Sequence, residues 1–487
     1  MKKLVFFISL FFIIFFLGRD LLPTNDYFFT FHDETQPARI QQFTKELKNF
    51  HIPPRVAPDM NYQLGFPIFN FYAPTAYWIT SIVNLMGFNI INSLKISFLL
   101  GLIIGFYSSF LFFANFFDFF PSILGAIFYV TSLYFPLDIF VRGNLSEVWF
   151  LALLPLTLHS LYQNSQKNNP KIFFFATIFL FSLLTSHNIY SLLIIPFILI
   201  FILISKNFKK NLQVFIFACL LSTYFWLPVF VELKYTWAKE VAKATNYQDH
   251  FLCWWQMWHS PWGFGGSNKG CFNDGMSFKI GKPQLIFFIL GLIIFIIFYR
   301  KKDKYFKYIL LLSFYTISNL FLTLYQSKPI WDTFSIFFSM IQFPWRFIGL
   351  SILGIAFFSA FFFEKIKFGL KNILIILAIV LTLFLNQKYF YGQKIANKKF
   401  EETYLSQSYI KNKVAYKAAE YLPKTVDYKN WRNLENKDKI PTSFLKKITI
   451  KPFDKNKQTP IERISNIITL ITFLFLLAFL KKPKIVQ

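Results

Sequence analysis

The chain has 487 residues, 55% of them hydrophobic, with 70 phenylalanines and a mean hydropathy of +0.44. Its 51 Lys and Arg stand against 24 Asp and Glu, a net charge of +27. This apolar load excludes an ordinary soluble domain, and loops between membrane spans are the simplest home for the basic surplus, so no nucleic-acid partner is expected.

In chain order, "MKK" followed by "LVFFISLFFIIFFLG" reads as an uncleaved first span at about 4–22, because no small-x-small cleavage site follows it. The loop 23–90 then opens with "FHDETQPARIQQFTKEL". Asp33 or Thr35 is placed to cap a helix running from about Pro37. Capping needs one acid. Asp33 and Glu34 beside His32 also suit a general base with a partner, or a metal ligand, and the two roles are compatible. Further on, "PPRVAPDMNYQLGFPIFNFYAP" contributes Arg55 and Tyr72. Pro74–Gly87 is short for a crossing and begins with Pro and aromatics, so it is expected to lie in the interface.

Spans then follow at about 91–113, 121–135, 147–163, 171–186, 189–205, 212–233, 284–299, 306–326, 345–363, 371–387 and 464–480, about twelve with the first. With "MKK" inside, the short inside loops "QNSQKNNPK", "SKNFKKN", "YRKKDKYFK", "EKIKFGLKN" and "KKPK" are all basic, and "ANFFDFF" alone is not. That orientation sends the unusual polar motifs to the outer face.

Arg39, Arg55, Arg142 and Arg346 stand at or near span mouths. An arginine there either snorkels to lipid phosphates or meets a partner; several converging on one side make a phosphate site. Arg142 lies in "LDIFVRGNLSE", where Gly143 permits a tight turn and Glu147 opens the next span. His187 in "LLTSHNIYSLL" is either a hydrogen-bonded turn or a phosphate or hydroxyl contact. In loop 234–283, Trp255, Trp258 and Trp262 form an aromatic belt or stack on sugar faces. Cys253 and Cys271 are close enough in sequence to bridge on the oxidising side, and the spacing alone leaves that open. Residues 390–463, Lys-rich with "AAEYLPKTVDYKNWRN", read as a small outer module after a membrane core at 1–389, and 464–487 as an anchor with a basic tail. No Walker loop, dinucleotide fingerprint or zinc-ligand spacing is present, which argues against nucleotide-driven transport.

An acid pair in the first outer loop, followed by surface helices and many spans, resembles the GT-C superfamily of membrane glycosyltransferases. The stretch 32–79, with "RGNLSE", "TSHN", "FWLPVFVE", "QFPWRF" and "EYLP", is similar to a bacterial membrane-protein family whose label relates it to 6-pyruvoyl-tetrahydropterin synthase. The resemblance covers about residues 1–430. The histidine-bound zinc of those soluble synthases has no counterpart in these motifs. The GT-C resemblance implies an all-α polytopic fold with interfacial helices in the first outer loop. It also implies an inverting transfer of a sugar from a polyprenyl-phosphate carrier to an extracytoplasmic glycan or protein acceptor, at a bacterial cytoplasmic membrane.

Matched onto this sequence, Asp33 is the expected base with Glu34 and His32 in support. Arg39, Arg55, Arg142, Glu147, His187 and Arg346 are the expected phosphate- and substrate-binding set. Trp255, Trp258, Trp262 and Tyr72 are expected to position sugar rings. Glu34 has a second reading, as ligand of a divalent cation such as magnesium or manganese; no other cofactor is expected. A transporter or flippase of lipid-linked glycans, and a non-catalytic membrane protein of this fold, are the alternatives.

Overall fold

The computed structural model describes residues 2–244, 246–298, 303–366, 369–435, 453 and 457–480. The inside loop "YRKKDKYFK", the tail "KKPK" and the 390–463 module therefore lie partly or wholly outside the described residues. Helix α1 (Lys2–Phe12) continues through a wide turn to Leu17. Strand β1 (Tyr27–Thr30), helix α2 (Gln36–Lys48) and helix α3 (Thr75–Leu85) make up the ordered part of the first loop. At 11 residues α3 is about 16 Å long, roughly half the thickness of a hydrocarbon core.

Long helices follow: α4 (Ile90–Phe113), α5 (Phe119–Val130), α6 (Leu145–Gln166), α7 (Pro170–Leu184), α8 (Asn188–Leu203), α9 (Phe208–Leu221) and α10 (Thr223–Glu232). After the loop come α11 (Lys282–Phe298), α12 (Phe306–Thr323), α13 (Phe347–Lys365) and α14 (Lys371–Asn386). Strand β2 (Gln393–Ala396) and α15 (Pro460–Leu480) complete the set used below.

Among the described residues, seven helices are long and apolar enough to cross a membrane, or eight if α9 and α10, bent by 62°, form one span. The expected count of about twelve is thus not confirmed: α7, α8 and α11 are apolar but shorter, and the run expected as one span at 212–233 is broken. The break falls at Ser222, whose hydroxyl donates back to the Ala218 carbonyl at 2.7 Å, a bond that loosens the ladder, with Pro228 nearly two turns further on.

Apolar length does not by itself decide position. The run Phe119–Arg142 is buried over its whole apolar window, whereas only 17% of the α15 window is buried. Helices α5, α6 and α13 are therefore central, with α4 packed along α6, α11 and α12 along α13, and α14 and α15 on the outside. Strands β1 and β2 pair antiparallel, Tyr27 opposite Ala396 and Thr30 opposite Gln393. The stretch after β2 also docks on the first loop: Trp431 Nε1 donates to Asn61 Oδ1 at 3.0 Å, and Tyr62 N–H to the Lys411 carbonyl at 2.8 Å.

Beyond α5 the chain does not end its helical path. Pro136 lacks a main-chain N–H, and residues Leu137–Arg142 wind as a π-helical turn, a form that recurs at functional sites. Gly143 stops it in the left-handed region at φ 63°, and a Cβ there would fall on the Phe31 ring. Gly143→Ala is expected to cost about 1–2 kcal/mol from backbone conformation alone, before the clash. A lowered thermal midpoint, partly restored by adding Phe31→Ala, would separate the two contributions.

Candidate active site

The segment "LYFPLDIFVRGNLSE" (133–147) places three charges within ten residues. The π turn sets Asp138 four residues before Arg142, and their side chains form an ion pair. Asn144 then accepts from the Glu147 N–H at 3.1 Å, capping α6 and fixing Glu147 in its first turn. Arg142 Nη1 donates to Glu147 Oε2 at 2.5 Å and Nη2 to Glu147 Oε1 at 2.8 Å. Both arms of this guanidinium are therefore engaged by carboxylates, and its face lies 4.7 Å from the Trp345 ring.

Two further cations from distant parts of the chain reach the same carboxylate. Arg346 Nε lies 3.6 Å from Glu147 Oε1, while its Nη1 donates to the Ile341 carbonyl at 2.9 Å. His187 caps α8 through Nδ1, which accepts from the Tyr190 N–H at 3.1 Å. That bond assigns the proton of the neutral ring to Nε2, 3.5 Å from Glu147 Oε1. A hydroxyl chain completes the cluster: Tyr134 lies 2.9 Å from Glu147 Oε2 and 2.8 Å from Tyr190, which lies 2.6 Å from the Arg346 carbonyl.

The acid-rich tripeptide is clipped onto this cluster by its main chain. His32 N–H donates to the Val141 carbonyl at 3.0 Å and Asp33 N–H to that of Arg142 at 2.9 Å. Helix α2 starts at Gln36, and its N-cap Thr35 makes no side-chain cap bond. The expected capping by Asp33 or Thr35 is thus replaced by a main-chain turn, Gln36 N–H to the Asp33 carbonyl at 3.0 Å. The Asp33 carboxylate accepts instead from Gln36 Nε2 at 3.1 Å.

Beside it, Arg39 is buried and stacks on Tyr72, its guanidinium carbon 5.1 Å from the ring centre. Burial works against the Arg39 charge, but Tyr77 and Asp33 hold it above its ordinary pKa. Burial and the Asp33 charge push the Tyr72 hydroxyl up. Glu420 faces the same group; burial lifts its carboxyl above the usual range against the pull of Arg39. The Nε atom of Arg39 and the hydroxyl of Thr35 are buried with no hydrogen-bond partner among the described residues, and the Arg346 Nε has only the 3.6 Å ion pair with Glu147. Such donors are rare in folded interiors and suit the oxygens of an anion.

Several expected site residues take different roles. Glu147, expected in the substrate- and phosphate-binding set, stands at the centre of the cations Arg142, His187 and Arg346. Arg142 has Nη1 and Nη2 bonded to the carboxylates of Asp138 and Glu147. Arg55 sits in a separate cluster, donating to Asn70 at 3.0 Å and Asn466 at 2.8 Å beside Glu232 and Glu462. Glu34 turns to Lys417 at 3.2 Å. Among the described residues no three His, Cys, Asp or Glu side chains group as metal ligands.

His32 Nε2 lies 2.9 Å from the Phe264 carbonyl, joining the Trp-rich loop to the first loop. Within that loop Cys253 and Cys271 are disulfide-bonded. The tryptophans are dispersed: Trp255 against Phe272, Trp258 beneath Lys282, Trp262 against Tyr389. The sequence reading missed Asp138, Tyr134, Tyr190, Trp345 and Glu420. Asp138 alone carried a signal, an acid inside an apolar run.

Residues 69–260 match a membrane-protein family described as 6-pyruvoyl-tetrahydropterin synthase related domain. No curated protein matches the chain. Among solved structures, the arabinofuranosyltransferase AftD from Mycobacteria aligns at 12% identity and TM-score 0.48, over 80% of this chain and 26% of that one. A mutant of it aligns at 10% and 0.47, over 80% and 27%. The chain thus spans about a quarter of the length of these two structures.

Proposed function

We propose that this chain is a membrane glycosyltransferase, using a polyprenyl-phosphate-linked sugar and an extracytoplasmic glycan or protein acceptor, with Asp33 as general base. The observation that carries this reading is the junction of Asp33 with the Arg142–Glu147 cluster. A carboxylate free of capping duty faces buried Arg39, and its main chain is bonded to Arg142, whose partner Glu147 gathers Arg346 and His187 from distant loops. Basic loops on the opposite side give the orientation, with the active face outside a bacterial cytoplasmic membrane.

In this mechanism the acceptor hydroxyl gives its proton to Asp33 as its oxygen attacks the anomeric carbon in line. The bond from that carbon to the phosphate oxygen breaks, and its electron pair leaves with the polyprenyl phosphate. Arg346, Arg39 and His187 Nε2 meet the growing charge, while Arg142 and Glu147 hold this array in place. The outcome is inversion at the anomeric carbon. The transporter alternative needs charges deep in several spans; the Asp138–Arg142–Glu147 cluster lies instead at one span mouth, where Phe119–Arg142 ends and α6 begins.

Lipid extracts and envelope glycans from cells with and without the gene test this by mass spectrometry. Loss of the gene should raise one polyprenyl-phosphate sugar and shorten one glycan by that sugar. Identical lipid and glycan profiles would remove the reading.

A further inference from the structure

Away from Asp33, the far half of α2, the turn between α3 and α4 and residues 401–407 enclose an open cavity of about 570 Å³. That volume falls in the range of small-ligand sites, roughly 300–1,000 Å³. Gln41, Gln42, Thr44, Asn84, Asn89 and Gln407 give it a lining of carboxamides and a hydroxyl. Its charges cancel, Lys45 and Lys48 against Asp59 and Glu401.

The frame is held rigid. Lys45 Nζ donates to both Asp59 oxygens at 2.8 and 2.7 Å, and Gln42 exchanges two bonds with Asp59 at 2.9 and 2.8 Å. Asn84 and Asn89 are oriented by bonds to the Phe88 carbonyl and the Asn92 N–H, each at 2.7 Å. Thr44 is 2% exposed, and its hydroxyl has no partner among the described residues. Leaving a buried hydroxyl unmet costs about 1–3 kcal/mol, which a ligand hydroxyl would offset.

Balanced charge disfavours an anion, and paired amide donors and acceptors match the hydroxyls of a sugar. We propose that this groove binds an uncharged stretch of the acceptor's oligosaccharide chain. The identification of the chain as an acceptor rests on the glycosyltransferase reading. From Gln36, which contacts Asp33, to Thr44 is about 12 Å along α2. The groove therefore holds the body of the acceptor behind its reacting end.

The test uses the full chain in phosphatidylcholine nanodiscs. The probes are neutral linear hexasaccharides (glucan, mannan, galactan, arabinan), a uronic-acid hexasaccharide and phosphatidylglycerol vesicles. At least one neutral chain should be retained. Gln41→Ala and Gln407→Ala, partly exposed or exposed positions that should not disturb folding, should each weaken retention about tenfold through lost hydrogen bonds. Asp33→Asn should leave retention unchanged. Retention of no neutral chain, retention indifferent to both groove variants, or preference for the acidic probe or the vesicles would each overturn the proposal. Groove-dependent retention combined with undiminished sugar transfer by Asp33→Asn would instead remove Asp33 from the role of base and leave the groove standing.

Discussion

Glu147→Ala is expected to destabilise the protein by about 3–5 kcal/mol, the range found when one partner of a buried ion pair is removed. Glu147 is fully buried and contacts Arg142 through both its oxygens, with Arg346 and His187 beside it. Without it, Arg142 keeps only Asp138, and Arg346 loses its counter-charge in a medium that screens poorly. The penalty arises from stranded cations, so it should shrink when a cation goes too. The double variant Glu147→Gln with Arg142→Gln should therefore unfold closer to wild type than Glu147→Gln or Arg142→Gln alone. A double-mutant cycle on thermal unfolding in detergent reads this coupling directly. Equal midpoints for Glu147→Ala and wild type would mean that the carboxylate does not hold the cluster.

The spans were legible because bilayer thickness sets one length, which an apolar run either has or lacks. Ile90–Phe113 lies where a span at about 91–113 was read. Hydropathy fails where a helix changes winding. The span read at 121–135 stops at Phe135, whereas the helical path continues through the π turn to Arg142, because nothing in the periodicity marks that turn. Asp138 could have been found, as a lone acid in "FPLDIFV" four residues before an arginine. Tyr190 and Trp345 could not: their roles come from contacts across 56 and 78 residues or more, Tyr134 to Tyr190 and Ser267 to Trp345. Residue type also gave Arg55, Arg142 and Arg346 equal weight. Only the packing separates one held by amides, one bound by two carboxylates and one whose Nε stands 3.6 Å from the shared Glu147.

Asp33→Asn is expected to lower sugar transfer by about 10²–10⁴-fold, the contribution of a general base, with little change in stability. The Asp33 N–H to the Arg142 carbonyl and the Asp33 carbonyl to the Gln36 N–H are main-chain bonds and survive the substitution. The Gln36 Nε2 donor, now 3.1 Å from Oδ2, can be met by the amide oxygen of asparagine. What the amide cannot do is take a proton from the acceptor, so the loss should fall on kcat and leave KM nearly unchanged. Glu34→Gln is the control beside it. Glu34 pairs with a half-exposed Lys417, a contact worth about 0–1 kcal/mol, and its loss should barely move the rate. Glu420 is the competing carboxyl, since burial lifts it above the usual range beside Arg39 and Asp33. A rate that survives Asp33→Asn but collapses in Glu420→Gln would transfer the role of base to Glu420.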